Sequence, residues 1–378
     1  MVTEKMREIY DAQSRVWNFL SKIAGSSRIG SSYLFSGPEG CGKEALSIKF
    51  FQLLNCEKKN EKPCNNCPSC RRALKLQHEK LNLIFPLPTP KKSTKDNSIS
   101  FDSKTSDIIQ EEISAKAKNL FHKIKIPKSN RILIQSIRNL RKSLYLKSNQ
   151  NGRKIVLIFD AHLLSAGQGE SANALLKLLE EPPNQTTLIL VTDNSSLLSL
   201  TIKSRCQEVT FPKLDGSFII NWLKDKEIKE SHIPLIAGLS GGNIYQTKFL
   251  ISQSLDKLLL ELSELVKNVS SKKPHAWREF SQMYSKMAIQ DYKLFLFHFF
   301  MLKTWFNSLN RLRKNLNHVL HKTPLKLGME RLIKKFPNAD YSSIVFEIEK
   351  TTLSVSQHFH MPLALTNLLI KIKRNLNK

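Results

Sequence analysis

The chain has 378 residues, of which 41% are hydrophobic and 24% are charged, so it is long enough for two or three domains that each bury a core. No apolar run approaches the roughly 20 residues of a membrane span, and the N-terminal residues lack the apolar segment of a signal peptide, so a cytoplasmic location without a membrane partner is expected. Lysine and arginine exceed aspartate and glutamate by 59 to 32, a net charge of +27. This excess fits either a nucleic-acid partner, whose phosphates basic side chains neutralise, or a generally lysine-rich composition.

A glycine-rich loop follows an amphipathic helix predicted at 7–24 and a buried strand predicted at 33–35. The loop reads Gly-Pro-Glu-Gly-Cys-Gly-Lys-Glu over 37–44 and leads into another predicted helix. This order is the context of a phosphate-binding loop, in which glycines let the backbone fold around an anion and a lysine adds positive charge. Position 44 departs from the pattern, because a glutamate stands where a hydroxyl should hold magnesium. The candidate nucleotide-binding residues of this loop are Gly37, Gly40, Gly42, Lys43 and Glu44.

Four cysteines follow the loop helix within a short segment, residues 56–70. Two overlapping Cys-x-x-Cys pairs and a further cysteine supply four thiolates, the ligand number of a closed structural zinc site. In a cytosolic chain such a cluster indicates metal rather than disulfides. The predicted structural zinc ligands are Cys56, Cys64, Cys67 and Cys70.

The middle of the chain alternates strands and helices. A strand is predicted at 81–85, and the segment of about 86–130 is predicted to be a flexible insertion, because its first part lacks hydrophobic periodicity. Helices are predicted at 106–121 and 132–146. The second of these carries the basic side chains Arg138, Arg141 and Lys142 away from its apolar face.

Three further strands are predicted at 154–160, 187–192 and 208–211, with a helix at 172–179 between the first two. The strand at 154–160 is apolar and ends in Asp160, as expected of a buried parallel strand. Strands that alternate with helices indicate an α/β domain with a mostly parallel sheet. Beyond Pro212 the pattern is helical only. Helices are predicted there at 218–226, 233–239, 244–265, 294–312 and 363–376.

Several segments, taken together, resemble one known family. They are the segment 33–38, the four-cysteine insert, the run Asn-Ala-Leu-Leu-Lys-Leu-Leu-Glu-Glu-Pro-Pro at 173–183, and Ser-Arg-Cys at 204–206. Their order and spacing resemble the clamp-loader subunits of bacterial DNA polymerase III, which belong to the AAA+ superfamily. The resemblance covers about residues 7–255. It implies an AAA+ P-loop domain over 1–211, a small helical lid domain over 212–255 and a C-terminal helical collar domain over 256–378.

The resemblance also implies roles for two residues. Arg205 would be an arginine finger that acts on the nucleotide bound by a neighbouring subunit, where a guanidinium offsets charge at the γ-phosphate. The alternative for Arg205 is a helix cap or a pair with an acidic side chain. Thr192 would be the sensor residue that hydrogen-bonds a γ-phosphate or the attacking water, and its alternative is a threonine that favours the end of a strand.

Three departures from the family pattern separate its subunit types. ATP-hydrolysing members have Asp-Glu at the end of the acidic strand, whereas this chain has Asp160 followed by Ala161. Glu44 replaces the magnesium-holding hydroxyl, and the chain has Asn243-Ile244-Tyr245 where a sensor arginine is expected. The parts that would serve its own hydrolysis are lost while Arg205 is kept. A delta-prime-like subunit is therefore expected, with little or no ATP hydrolysis of its own; whether it binds ATP stays open.

The expected partners are clamp-loader subunits of the gamma/tau and delta types, the sliding clamp and primer-template DNA. Arg138, Arg141 and Lys142 are the candidates for DNA contact. Two alternatives remain at this point. The chain could be an ATP-hydrolysing motor of the gamma/tau type, or a zinc-stabilised DNA-binding protein with a degenerate P-loop scaffold.

Overall fold

The fold is described from a computed structural model of the chain. It describes residues 8–26, 28–58, 60–90, 101–145, 152–226, 228–271, 273–354 and 360–378. The chain divides into two compact units. Unit 1 contains residues 1–219 and 241–246, and unit 2 contains residues 220–240 and 247–378.

A five-stranded parallel sheet forms the centre of unit 1, with the strand order β2-β3-β4-β1-β5. The strands are β1 (Ser32–Ser36), β2 (Leu81–Ile84), β3 (Lys154–Ile158), β4 (Thr186–Thr192) and β5 (Gln207–Thr210). In β1, Leu34 pairs with Leu190 of β4 and with Glu208 of β5, so the first strand lies inside the sheet. All five strands predicted from hydrophobic runs are present, and the predicted parallel α/β sheet is confirmed.

Helices cover both faces of the sheet, because side chains alternate along each strand. Tyr33 and Phe35 of β1 belong to a core with the helices Ser14–Gly25 and Lys43–Leu54, whereas Leu34 belongs to a second core with the helices Ile134–Tyr145 and Glu170–Glu180. The helices in this part of the chain are α1 (Glu8–Ala12), α2 (Ser14–Gly25), α3 (Lys43–Leu54), α4 (Pro68–Leu74), α5 (Ser103–Lys118), α6 (Ile134–Tyr145), α7 (Glu170–Glu180), α8 (Leu200–Lys203) and α9 (Gly216–Lys224). Short 3-10 helices lie at Ala161–Ser165 and Ser195–Leu197.

Unit 2 is helical in the part that the structure describes. Its core is rich in aromatic side chains; Phe295 and Phe299 stack with ring centroids 4.4 Å apart, and Tyr284 contacts both. The remaining helices of the chain are α10 (Ile233–Ser240), α11 (Ile244–Ile251), α12 (Leu255–Val269), α13 (Pro274–Gln290), α14 (Tyr292–Arg313), α15 (Leu325–Lys335), α16 (Tyr341–Ser354) and α17 (Met361–Leu376), with 3-10 turns at Glu230–His232 and Val319–Lys322. Among the described helices, none combines the length and the apolar character that crossing a bilayer requires.

Two helices predicted from periodicity are each divided in the structure. The helix at 7–24 breaks at Gln13, whose side-chain amide donates to the carbonyls of Cys41 and Pro212, both at 2.9 Å. The helix at 244–265 breaks after Ile251, where the hydroxyl of Ser252 bonds to a backbone carbonyl and Ser254 precedes α12. In both places polar side chains bond to backbone groups, and hydrophobic spacing does not report such bonds. The predicted helix end at 146 lies outside the described residues.

The segment of about 86–130 has structure in its second half. Residues 91–100 lie outside the described residues, but α5 spans Ser103–Lys118 and the chain continues through 119–130. Helix α5 begins after Asp102, whose carboxylate accepts the Thr105 N–H and so caps the helix. This segment contributes two lysines to the site described next.

Candidate functional site

The phosphate-loop candidate lies at the carboxyl edge of the sheet, where α/β folds place their ligands. The loop follows β1, Asp160 follows β3 and Asp193 follows β4. Because the strands are parallel and adjacent, their ends bring these groups to one edge. Gly40 has a positive φ of 70°, and an added Cβ there would lie 1.9 Å from Oδ1 of Asn243. The loop therefore packs directly against the backbone at 243–244.

The loop lysine is buried and satisfied within the protein. Nζ of Lys43 donates to the carbonyl oxygens of Gly37 at 2.8 Å and Pro38 at 2.6 Å. It also lies 2.7 Å from Oδ1 of Asp193, and the lysine side chain is only 3% exposed. The charge that would meet a phosphate is thus paired with a carboxylate of the same chain.

A second lysine joins the two acids at the ends of β3 and β4. Nζ of Lys123 lies 2.9 Å from Asp160 Oδ1 and 2.7 Å from Asp193 Oδ2. Burial alone would lower the pKa of Lys123, but the carboxylates of Asp160 and Asp193 raise it above its usual value. Burial would likewise raise the pKa of Asp193, while Lys123 and then Lys43 hold it below its usual range. Lys123 and Asp193 therefore stay charged at neutral pH.

Glu44, the residue that departs from the phosphate-loop pattern, pairs with a third lysine. Its carboxylate bonds to the ammonium of Lys116, a side chain with no solvent exposure. The same ammonium donates to the carbonyl of His122 at 2.6 Å and lies 5.2 Å from the ring centre of Phe159. Burial lowers the pKa of Lys116, and the carboxylate of Glu44 acts in the opposite direction. Glu44 is therefore half of an internal ion pair.

We call these six side chains the charge cluster. Its members are Lys43, Glu44, Lys116, Lys123, Asp160 and Asp193. The three ammonium groups balance the three carboxylates, so the formal charge of the cluster is zero. Tyr245 covers part of it: Nζ of Lys123 lies 6.0 Å from the tyrosine ring centre, and burial, followed by the nearby charge of Glu44, raises the pKa of this phenol.

The sensor candidate also bonds within the chain. The hydroxyl of Thr192 accepts the Asn194 N–H at 3.0 Å and lies 3.1 Å from Nδ1 of His162. Thr192 is 1% exposed. Ala161, at the position of the family's water-orienting glutamate, is fully buried and carries no polar group.

The arginine-finger candidate lies at the surface. Arg205 precedes β5, and its guanidinium pairs with Glu180 at the end of α7, with Nε and a terminal nitrogen 3.0 and 2.7 Å from Oε1. A second terminal nitrogen donates to the carbonyl of Thr201 at 3.0 Å. The arginine side chain is 36% exposed and that of Glu180 is 48% exposed. Arg205 thus has an acidic partner, which was the alternative to the finger role, and is also accessible to another molecule.

The four cysteines meet as the sequence predicts. Their sulfurs all lie within 4.8 Å of one another, and those of Cys64 and Cys70 are 3.8 Å apart. A tetrahedron with zinc–sulfur distances of about 2.3 Å has edges of about 3.8 Å, so this spacing fits Zn²⁺. Backbone N–H groups of Cys64, Cys67 and Cys70 point at sulfurs of the cluster at 3.3–3.4 Å. The third ligand, Cys67, is the N-cap of helix α4, which begins at Pro68.

The basic side chains proposed for DNA contact share one face of α6. Arg138, Arg141 and Lys142 are all exposed and, with Gln135 and Tyr145, line a shallow cavity of about 370 Å³. Tyr145 is 58% exposed. The face therefore combines positive charge with an aromatic ring.

Sequence reasoning missed Lys116, Lys123 and Asp193. The two lysines come from a segment without a strong hydrophobic pattern, and their partners are 37 to 72 residues away in the chain. Asp193 could have been found, because it is an acid directly after a buried strand, the same signal that identified Asp160. Such acids collect at the carboxyl edge of a parallel sheet.

Comparison with known proteins identifies the family of the chain. The family described as DNA polymerase III, delta subunit, matches residues 12–215, more than half of the chain. The chain is 28% identical over 250 residues to DNA polymerase III subunit tau of Bacillus subtilis, a match that covers 64% of this chain and 36% of that protein. It is 23% identical to subunit delta' of the same organism (72% and 69% covered) and 26% identical to subunit delta' of Pseudomonas aeruginosa (70% and 68% covered). The chain thus spans about two thirds of these delta' subunits but only about a third of tau.

Proposed function

Because the chain belongs to the DNA polymerase III delta-subunit family, where it is a delta-prime-like clamp-loader subunit, we propose that it completes the ATPase site of a neighbouring subunit and hydrolyses no ATP itself. In this proposal Arg205 is the finger that reaches the neighbour's nucleotide. One contrast carries the proposal. The charges around its own phosphate loop are paired with one another, whereas Arg205 is at the surface.

The charge cluster supports the absence of its own hydrolysis. Magnesium in a P-loop site is held by a loop hydroxyl and an acid at the end of the neighbouring strand. Here Glu44 replaces the hydroxyl and is bonded to Lys116, while the acid Asp160 is bonded to Lys123. A magnesium nucleotide would have to separate these buried ion pairs, which costs several kcal/mol for each buried charge left without a partner. Alanine at position 161 also leaves no carboxylate there to orient water.

The surface position of Arg205 supports the finger role. Exposed ion pairs typically contribute only about 0–1 kcal/mol, so the pair with Glu180 is easily exchanged for a stronger anion. A γ-phosphate carries more charge than a carboxylate and can accept two parallel guanidinium hydrogen bonds. In the assembled loader, a neighbour's nucleotide would compete with Glu180 for Arg205.

The test is the ATPase rate of a reconstituted clamp loader that contains this chain. An arginine finger increases kcat by a factor of about 10³–10⁵. Arg205→Ala should therefore inactivate the adjoining ATPase site and remove that site's share of the complex's rate. Lys43→Ala should leave the rate unchanged, because this chain's own loop does not turn over. Glu180→Gln is the matched control at the finger, since it removes the competing charge and keeps the arginine.

Two results would contradict the proposal. The first is ATP hydrolysis by the purified chain that Lys43→Ala abolishes, which would make it a motor of the gamma/tau type. The second is an unchanged rate in the Arg205→Ala complex. Size-exclusion chromatography with co-expressed gamma/tau and delta subunits tests the assembly itself, because a delta-prime-like subunit co-elutes with them and a solitary DNA-binding protein does not.

The remaining parts take roles within the same assembly. We assign residues 212–255 to a lid domain and 256–378 to a collar domain that packs with sister subunits. The four cysteines would bind one structural Zn²⁺, which anchors a surface insertion too small to bury a core of its own. The basic face of α6 would meet the phosphates of primer-template DNA, in a loader that places the sliding clamp.

A further inference from the structure

One serine connects the two parts of the chain that supply the four cysteines. Ser69 is the second residue of α4, lies between the third and fourth cysteines, and is buried. Its hydroxyl donates to the carbonyl of Asn55, the residue before Cys56, at 2.6 Å. Its backbone N–H also donates, at a longer distance of 3.4 Å, to the carboxylate of Glu57, the residue after Cys56. Ser69 therefore bonds to both sequence neighbours of the first cysteine.

The acceptor of this hydroxyl is itself fixed to the sheet of unit 1. Asn55 follows the last residue of α3, and its side-chain amide donates to the carbonyl of Arg153 at 3.1 Å. Its Oδ1 accepts the Arg153 N–H at 3.0 Å, and Arg153 directly precedes β3. None of these bonds involves a cysteine. The carbonyl that receives the serine hydroxyl is thus held in place independently of any metal.

A buried histidine orients the serine hydroxyl. Nε2 of His78 lies 3.0 Å from Oγ of Ser69, and Nδ1 of His78 accepts the backbone N–H of Lys80 at 3.1 Å. Burial lowers the pKa of His78, although the carboxylate of Glu79 acts in the opposite direction. Because Nδ1 is an acceptor, the neutral ring carries its proton on Nε2 and donates to the serine oxygen. The serine proton is then directed to Asn55.

The bond between Ser69 and Asn55 closes the cysteine segment at its base. These two residues are 14 positions apart, the same separation as that of the first and fourth cysteines. A metal that collects ligands from an open segment must also order that segment, and closure of a loop costs conformational entropy. Because Asn55 and Ser69 are already joined, the ends of the loop lie together before a metal binds. The metal has less left to order.

We propose that Ser69 preorganises the four-cysteine site for zinc, and that His78 holds the serine hydroxyl in the orientation that this role requires. Both are positioning residues, and neither supplies a ligand. The inference rests on the proposed zinc binding and is independent of the role of Arg205. Contacts of this kind behind metal ligands typically change metal affinity by about 10- to 100-fold.

The first measurement is the zinc affinity of the full-length chain, by competition with a chromophoric chelator. Ser69→Ala should weaken zinc binding by about 10- to 100-fold. His78→Phe keeps a ring and removes both nitrogens, so it should weaken zinc binding less. The matched control is Ser171→Ala, because Ser171 is also the second residue of its helix, is buried, and donates to the carbonyl of Ile132 at 2.7 Å. This control should leave the zinc affinity unchanged.

A second measurement needs no metal. In excess chelator, the alkylation of each cysteine by iodoacetamide is followed by mass spectrometry. Ser69→Ala should raise the rate at Cys56 several-fold, because the segment around Cys56 is released from α4. The reference within the same chain is Cys206, which is also half-buried and lies in the same unit, and its rate should not change. A serine that only stabilised unit 1 as a whole would change both rates together.

The other outcomes overturn separate statements. If the wild-type chain binds zinc and Ser69→Ala binds it equally well, Ser69 does not preorganise the site. Equal losses of affinity in Ser69→Ala and Ser171→Ala would also exclude a specific role, and full affinity in His78→Phe would exclude the histidine. An unchanged alkylation rate at Cys56 would show that the serine does not hold the metal-free segment. A wild-type chain without zinc, measured as metal content per chain, would overturn the proposed zinc binding, whereas the alkylation rates would still decide whether Ser69 holds Cys56.

Discussion

Removal of Lys123 is the most direct perturbation of the charge cluster. The change Lys123→Met keeps the length of the side chain and leaves Asp160 and Asp193 without the ammonium that lies 2.9 and 2.7 Å away. Loss of one partner from a buried ion pair costs about 3–5 kcal/mol in the free energy of unfolding. The three side chains are 12%, 16% and 25% exposed, and Asp193 keeps Lys43, so we expect the lower end, about 3 kcal/mol.

Hydrogen exchange measures this loss in the right part of the chain, because two units make a single global transition ambiguous. A loss of about 3 kcal/mol corresponds to roughly 100-fold less protection of the amides of β3 and β4, if they exchange through unfolding of unit 1. The matched variant is Lys123→Met with Asp160→Asn. This double variant removes one charge of each sign. It should recover part of the protection that Lys123→Met loses, because the effects of substitutions at interacting residues are not additive.

The pH dependence follows from the direction of the shift. Lys123 and Lys43 hold the pKa of Asp193 below its unfolded value, so its stabilising contribution is present above about pH 4 and is lost as the pH falls through the folded pKa. The difference between wild type and Lys123→Met should therefore shrink below about pH 4. Two results would refute the idea that these ion pairs hold the site closed. The first is a difference below about 1 kcal/mol in the free energy of unfolding between wild type and Lys123→Met at neutral pH. The second is a Lys123→Met/Asp160→Asn variant that is less stable than Lys123→Met by the full cost of a second lost charge.

Three further outcomes are expected. Chelation of metal should increase hydrogen exchange within residues 56–70 and leave β1–β5 protected; loss of protection throughout the sheet would place the cysteine module in the core. Reversal of charge at Arg138, Arg141 and Lys142 should reduce DNA-stimulated ATPase of the loader most strongly at low salt, and an unchanged rate at all salt concentrations would exclude that face. Burial, with the nearby charges of His321 and Arg311, lowers the pKa of His318 to about 4. The unfolded chain therefore binds a proton at this histidine before the folded chain does, as the pH falls below about 6.5. Unit 2 should lose stability between about pH 7 and 5, and the His318→Gln variant should lose less. Equal losses of stability in the two proteins would contradict the expected direction of this pH dependence.

The sequence predicted the sheet well, because four of its five strands, β1 to β4, are short and mostly apolar. It also predicted the meeting of four cysteines, since metal ligands are identified by residue type and spacing. The helix breaks at Gln13 and Ser252 were missed, because the responsible bonds join a side chain to backbone atoms. Hydrophobic periodicity contains no information about such bonds.

The site itself was predicted only in part, and the reason is electrostatic. In the sequence, Glu44 is an anion at the position that would face a phosphate, so it disfavours nucleotide binding. The sequence does not identify the cation that pairs with Glu44. The structure supplies the cation, Lys116, from a segment more than 70 residues away. A glutamate at this position is stable only with such a partner, since an isolated buried carboxylate would be strongly destabilising.

The proposed loss of ATP hydrolysis and the proposed finger role require different environments for charged side chains. A residue that serves its own chain can be buried and fully paired, as Lys43 is at 3% exposure. In the proposed finger role, Arg205 has to be held at the surface by a bond weak enough to exchange, and its exposed pair with Glu180 is such a bond. A stronger pair at the surface would keep Arg205 from a neighbour's nucleotide. Weaker pairing in the charge cluster would leave its three ammonium groups and three carboxylates without partners inside the protein. The distribution of charge between these two sites is thus the one that the proposed function requires.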